Sequence, residues 1–311
     1  MRIVSLLPSA TEIVCALGLE EALVGISHDC DYPPHIRGRP VLSEAIVTTD
    51  LPSGRIEAHI RGQVHRGKSV YHLDEGQLAE LRPDVILTQE LCAVCAPSYT
   101  LVRQAARVLD AQTRLVSLEP RGVDDILDTI HLVGEISGTA TRASALVQDL
   151  RTRIDAVRAA VAGRPRPRTV CIEWFDPLYI AGHWIPEMVD IAGGTDVLGK
   201  SREPSYVVEW ETIVAARPDV LVLMPCGFDL GRAQREADLV TQRPHWRDVP
   251  AVRDGRVYVT DGSAHFNRPG PRIVDGLEIL AEILHPERTP RTAHPGAFER
   301  LTHHAALGPS R

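Results

Sequence analysis

The strongest constraint on the fold is a segment that the chain uses twice. Leu78-Ala79-Glu80-Leu81-Arg82-Pro83-Asp84-Val85-Ile86-Leu87 is matched, at an offset of 135 residues, by Ile213-Val214-Ala215-Ala216-Arg217-Pro218-Asp219-Val220-Leu221-Val222. The same offset sets Tyr71 on Tyr206. Each copy reads as a helix stopped by proline, whose ring clashes with the preceding turn, and then as a short apolar run of buried-strand length. Two copies predict two similar α/β lobes.

The rest of the chain fits that frame. Arg2–Leu6 reads as a strand, followed by a helix to Gly18 that Ser9 or Thr11 is expected to cap. Ala22–Ile26, Asp84–Thr88 and Thr113–Leu118 read as further strands, and Tyr99–Leu109 as a helix. Residues 50–70 are polar, Gly-dotted and without clear period, and are expected to be a surface excursion. Val123–Ala162 carries apolar residues at helical spacing, with a break expected at Gly134 or Gly138. Strand and helix alternate again from Thr169 onward. The expected fold is therefore α/β: two lobes with largely parallel sheets, residues 1–122 and 164–286, joined by a long rigid helix over 123–163. The ligand is expected in a cleft between the lobes, and 287–311 is expected to be a flexible tail.

Several function classes are excluded. A formal charge of −7 without a basic run argues against nucleic acid. No window approaches the roughly 20 apolar residues of a membrane span. Met1–Cys15 lacks a signal peptide's charged start and long apolar core, and no small residue adjoins Cys15 as a lipoprotein site requires, so the chain as given reads as cytoplasmic. No nucleophile elbow, phosphate loop, dinucleotide fingerprint or zinc-protease motif is present. No catalytic constellation is readable, so an enzyme is not expected and no cofactor is required.

The chemistry-bearing residues gather in loops after predicted strands: His28–Tyr32, Gln89–Cys95, Glu173–Trp184 and Ser263–Arg272. Loops at strand carboxyl ends share one edge of a parallel sheet, where ligands bind. Trp174, Phe175, Tyr179 and Trp184, interleaved with Glu173 and His183, suit the wall of a large flat ligand, since rings give much contact for little entropy loss. A local hydrophobic cluster is the alternative. Asn267 and Arg268, after Phe266, can present an amide and a guanidinium to polar ligand atoms, or pair with a neighbouring carboxylate. His28, Cys30, Cys92 and Cys95 are soft ligands that could hold a metal ion; Cys92 and Cys95 could instead form a redox pair, or simply line the loop. His303-His304 reads as solvated.

At these residues the sequence resembles a known family. Arg2–Pro34, with its Pro8-Ser9-Ala10-Thr11-Glu12 opening and Asp31-Tyr32-Pro33 turn, the Arg-Pro-Asp strand, Gly182–Leu198 and Asp261–Ile273 look like the substrate-binding proteins of vitamin B12 and iron-siderophore ABC importers, the B12-binding branch foremost. The resemblance runs over about residues 2–285. It implies two lobes bridged by a rigid helix and aromatic residues that hold a corrin ring, with cobalamin or cobinamide as ligand. Contact positions then fall at Asp29, Tyr71, Gln89, Tyr179, Tyr206 and the Phe266–Arg268 loop, with Asp29 and Gln89 standing where that branch has aromatics. It also implies docking on a transporter permease through Glu211 and through Asp74 or Glu75, and a periplasmic or lipid-anchored location. A metal ion, haem or siderophore held by the His/Cys set is the second reading. A redox or corrinoid-processing enzyme using Cys92 and Cys95 is the third.

Overall fold

The computed structural model describes residues 1–47, 51–66, 69–89, 102, 113–287 and 295–301. These fall into two compact units. The first is Met1–Thr152 together with Arg268–Pro271; the second is Arg153–Asn267 with Arg272–Arg311.

The first unit is built on a four-stranded parallel sheet. Strands β1 (Ile3–Ser5), β2 (Leu23–Ile26), β5 (Val85–Thr88) and β6 (Arg114–Ser117) lie in the order β2-β1-β5-β6. Their apolar residues pack against the helices α1 (Pro8–Ala16) and α3 (Glu75–Leu81), with Val4, Leu6, Leu42, Leu73, Leu78 and Ile86 in one core cluster. β3 (Ser43–Ala45) and β4 (Tyr71–Leu73) form a separate antiparallel pair. Neither Ser9 nor Thr11 caps α1. Leu7 is the N-cap, without a side-chain bond, and Pro8 opens the first turn, where its missing N–H costs nothing. Residues 53–65, expected as irregular surface, form the helix α2 (Ser53–His65). The only buried apolar side chain described on it is Ile56, so an apolar period was not there to be read.

Two helices follow, α4 (Val123–Ser137) and α5 (Ala140–Val161). They part at Gly138, whose left-handed φ of 72° ends α4 at no steric cost. Gly134 lies within α4, and a Cβ there would come within 2.4 Å of the Ala143 methyl, so it serves close helix packing. The unit boundary falls within α5, between Thr152 and Arg153.

In the second unit, β7 (Arg168–Phe175), β11 (Val220–Leu223) and β12 (Val257–Thr260) run parallel. Antiparallel β8 (Leu178–Ile180) and β10 (Tyr206–Val207) extend one side, β13 (Phe298–Arg300) closes the other, and β9 (Thr195–Asp196) pairs with the start of β7. β13 belongs to the stretch expected as a tail; Ala297 beside it is buried, which anchors it. One sheet face carries Val170, Ile172, Leu221, Leu223, Val257 and Val259 into the core, against Trp210 and Ile213 of α7 (Trp210–Ala216) and against Trp246. α6 (Ile185–Ile191), α8 (Leu230–Glu236), α9 (Asp238–Thr241), α10 (Pro250–Arg253), α11 (Gly262–His265) and α12 (Ile273–Leu284) are further helices of this unit.

The repeated segment is repeated in three dimensions. Arg82 and Arg217 end α3 and α7 in the left-handed region, at φ 40° and 47°. Pro83 and Pro218 then turn the chain into β5 and β11.

Candidate functional site

In the first unit, parallel strands bring the ends of β2 and β5 to one sheet edge, which places His28, Asp29 and Gln89 there. His28 is the centre of a polar group. Its Nδ1 lies 2.9 Å from the Ser43 hydroxyl on β3, its Nε2 lies 3.4 Å from the Asp29 carboxylate, and its ring meets that of Tyr71 on β4 at 5.4 Å. Gln89 is buried. Arg268 belongs to this unit. Its guanidinium donates to both Asp31 carboxylate oxygens and to the Asp29 carbonyl (3.2 Å), and lies 3.8 Å from the Glu12 carboxylate, which is 2% exposed. Of the two expectations for Arg268, pairing with a neighbouring carboxylate is what the structure shows.

The proposed metal set is not assembled among the described residues. Cys30 is buried, its sulfur 3.0 Å from the Thr11 hydroxyl and 3.1 Å from that of Ser27, while both His28 nitrogens face Ser43 and Asp29. Burial pushes the Cys30 thiol up, away from the thiolate that binds metals. Cys92 and Cys95 lie outside the described residues, as do the helix expected over 99–109, Val102 apart, and His303-His304.

In the second unit the expected loop Glu173–Trp184 is a β-hairpin. β7 continues through Phe175 and returns as β8, with Trp174 opposite Tyr179 and Val207 of β10 opposite Tyr179 in turn. The register shifts between Ile172 and Trp174, which marks a β-bulge at Glu173. A bulge re-aims the side chains beside it. Ile172 and Phe175 go to the core, and Trp174 is left partly exposed in a row with Tyr179 and Val207. The Trp174 indole N–H donates to the Asp176 carbonyl at 3.0 Å, so the side chain offers its ring rather than a hydrogen bond.

The Glu173 carboxylate accepts from the Gly182 N–H and the Ser205 hydroxyl, and burial raises its pKa to about 7. Asp196 rises to about 6 for the same reason, though the N–H groups of Leu198 (3.1 Å) and Gly199 (2.6 Å) hold its charge. His183 takes a positive φ of 53°, and its N–H donates to the Glu203 carbonyl at 2.6 Å. Gly182 is needed there, since a Cβ would stand 2.5 Å from the Glu203 oxygen and the Ser205 nitrogen. Tyr206 donates from its hydroxyl to the Leu198 carbonyl at 2.7 Å, with Lys200 over its ring.

Two rings of the expected ligand wall, Phe175 and Trp184, and the expected contact Phe266 are core side chains. Phe175 and Phe266 are 0% exposed, and Trp184 is buried with its indole N–H donating to the Phe266 carbonyl at 2.8 Å. Full burial of large aromatics is how a chain with few of them fills an interior. Asn267 is partly buried, its backbone N–H on the Gly262 carbonyl. Asp74 N-caps α3 through the Gln77 N–H at 2.8 Å, and Glu75 and Glu211 are exposed in the first turns of α3 and α7. Ser43, Glu12, Asp31, Asp196 and Phe228 were missed. Asp196 holds the nearby Leu198 and Gly199 N–H groups, and each of the others acts on a partner distant in sequence.

A model of the family described as periplasmic binding protein matches residues 3–264. The chain belongs to that family. It is 24% identical to an uncharacterized ABC transporter substrate-binding lipoprotein of Bacillus subtilis, over 92% of this chain and 80% of the relative. It is also 24% identical to the vitamin B12-binding protein of Vibrio cholerae, over 91% and 88%. Among solved structures, the periplasmic vitamin B12 binding protein of Vibrio cholerae aligns with a TM-score of 0.66 at 22% identity, covering 91% of this chain and 96% of that one. A periplasmic heme binding protein from Pseudomonas aeruginosa aligns with a TM-score of 0.71 at 23% identity, covering 94% and 95%. The two-lobed α/β fold of this binding-protein family is thereby the fold of this chain. Among the described residues, no helix is long and apolar enough to cross a membrane.

Proposed function

We propose that this protein is the substrate-binding component of an ABC importer and that its substrate is a corrinoid, cobalamin or cobinamide. One observation carries the ligand class: the bulge at Glu173 sets Trp174 beside Tyr179 on the hairpin, partly exposed and with its own N–H spent, as a ring surface for a flat apolar macrocycle. The vitamin B12-binding relatives support the same class. In this reading Tyr206, Asn267 and His183 of the second unit supply further contacts. Glu211 and the Asp74/Glu75 pair present the carboxylates that meet a permease. Equilibrium dialysis of the purified protein against cyanocobalamin and dicyanocobinamide tests it. Retention of either with a shifted visible spectrum is expected, and retention of neither removes the corrinoid reading.

A second reading, haem or another metal chelate, is favoured by the His28–Tyr71 pair, which sets an imidazole and a phenol ring 5.4 Å apart at the sheet edge. It predicts a haem absorbance band after incubation with hemin that is lost in Tyr71→Phe.

A further inference from the structure

Behind Trp174 stands a stack of side chains that the ligand reading does not use. Phe228, 2% exposed, meets the Trp174 ring edge-on at 5.3 Å and 62°, and meets Phe175 at 6.3 Å and 90°. The Arg232 guanidinium carbon lies 3.7 Å from the centroid of the Phe228 ring. Arg232 is held in turn by Glu236, one turn on along α8, through Nε and Nη2 at 3.2 Å each. Asp229 caps that helix by accepting the Arg232 N–H at 2.7 Å, and the Phe228 carbonyl accepts the Ser263 N–H at 3.1 Å. The order is thus ion pair, cation over ring, ring edge against indole; of the three rings only the indole is partly exposed, and the Arg232 and Glu236 side chains are each 17% exposed.

We infer that Phe228 and Arg232 are positioning residues for Trp174, fixing the plane of its ring for the ligand. An indole on a hairpin bulge, with one hydrogen bond to a carbonyl two residues away, keeps rotational freedom unless a second surface meets it. Phe228 is that surface. A phenyl ring with a paired guanidinium on its face is itself fixed, because the cation prefers the ring's electron-rich face and the carboxylate fixes the cation. Order given to Trp174 before binding lowers the entropy lost when the ligand arrives. The inference rests on the proposal that Trp174 touches the ligand, but its first test needs no ligand.

Fluorine NMR of protein labelled with 5-fluorotryptophan, with the Trp174 resonance assigned by its loss in Trp174→Phe, reports the ring's order. In the parent chain one narrow Trp174 line is expected. Phe228→Leu and Arg232→Met should broaden or split it and leave the Trp184 line in place, and Phe228→Tyr should restore it. Titration with dicyanocobinamide should show affinity about 5- to 20-fold weaker in Phe228→Leu, with no further loss when Phe228→Leu is added to Trp174→Ala. An unchanged Trp174 line in both variants overturns the inference, as does an equal affinity loss in the Trp174→Ala background. Absence of dicyanocobinamide binding by the parent chain would count against the corrinoid reading alone, because the fluorine line still decides the positioning.

Discussion

The carboxylate of Asp84 accepts the backbone N–H of Arg2 at 2.6 Å across 82 residues of sequence. Arg2 returns the contact, its Nε donating to the Leu81 carbonyl at the end of α3 at 2.7 Å. The second unit repeats the device: Asp219 accepts the Arg168 N–H at 2.8 Å, and Arg168 Nη2 donates to the Ala216 carbonyl at the end of α7 at 2.7 Å. In each case an arginine at the start of the unit's first strand, just before β1 or first in β7, satisfies a helix-end carbonyl while an aspartate before the next parallel strand sets the register. The Arg-Pro-Asp repeat is therefore one joint used twice, at the strand ends opposite those that lead into the candidate site residues.

Asp84→Ala and Asp219→Ala should each lower stability by about 1 kcal/mol, below the range for a charge-assisted bond because Asp84 is exposed. Urea denaturation measures this. Similar losses in both variants are expected, and no loss in either would mean that the backbone ladders alone set the register.

The two tryptophans of the hairpin region should separate by phenotype. Trp174→Ala should weaken corrinoid binding by about 1–3 kcal/mol with little change in melting temperature, as for an anchoring aromatic. Trp184→Ala should instead destabilise the fold by about 3–5 kcal/mol, since it empties a buried site and leaves the Phe266 carbonyl without its donor. Calorimetry beside ligand titration checks both. An affinity loss in Trp184→Ala at unchanged stability would return that ring to the ligand wall.

Much of this was legible where the determinants are local. The helix–proline–strand repeat and the Gly138 break are both set by residues within a turn of one another. The hairpin was not, because the bulge at Glu173 sends two successive side chains to the same face and breaks the alternation that marks a strand. α2 escaped because its pattern is polar nearly throughout. Residue types mark the candidate site in the sequence, but Glu173–Phe175 and Leu178–Ile180 lie within strands and not in a loop, and burial sorts the rings. Phe175, Phe266 and Trp184 went inside, Trp174 and Tyr179 stayed at the surface, and the partners of His28 and Arg268 lie on distant segments that no local pattern reveals.

Glu173 gives the stability a pH dependence of definite sign. Its folded pKa, about 7, lies above its ordinary 4.5, so between those values the folded chain holds a proton that the unfolded chain has lost. Stability therefore falls as pH rises from about 4.5 to 7, and the loss is complete above that range. Asp196 adds the same sign between 3.8 and about 6. Glu173→Gln, which can still accept from Gly182 and Ser205, should gain on the order of 2 kcal/mol relative to the parent at pH 8 and nothing at pH 4, allowing for the residue's partial exposure. Parallel denaturation curves at those two pH values decide it, and a constant difference would assign the variant's effect to packing.

Arg268 should prove a stability residue of the first unit. Its side chain is 12% exposed, it is bonded to Asp31 and to the Asp29 carbonyl, and it faces the Glu12 carboxylate at 3.8 Å. Beside it, Gly270 lies against Ser9 at the start of α1, where a Cβ would meet the Ser9 carbonyl oxygen at 3.3 Å. Removing the cation leaves a buried carboxylate short of its counter-charge, at a cost on the order of 3 kcal/mol. Arg268→Met should show that loss at neutral pH. Arg268→Lys should show less, since it keeps the charge and gives up the planar fork. Glu12→Gln should reduce the Arg268→Met deficit at neutral pH, because it removes the buried charge left without its partner. A deficit independent of residue 12 would mean that the guanidinium acts by packing alone.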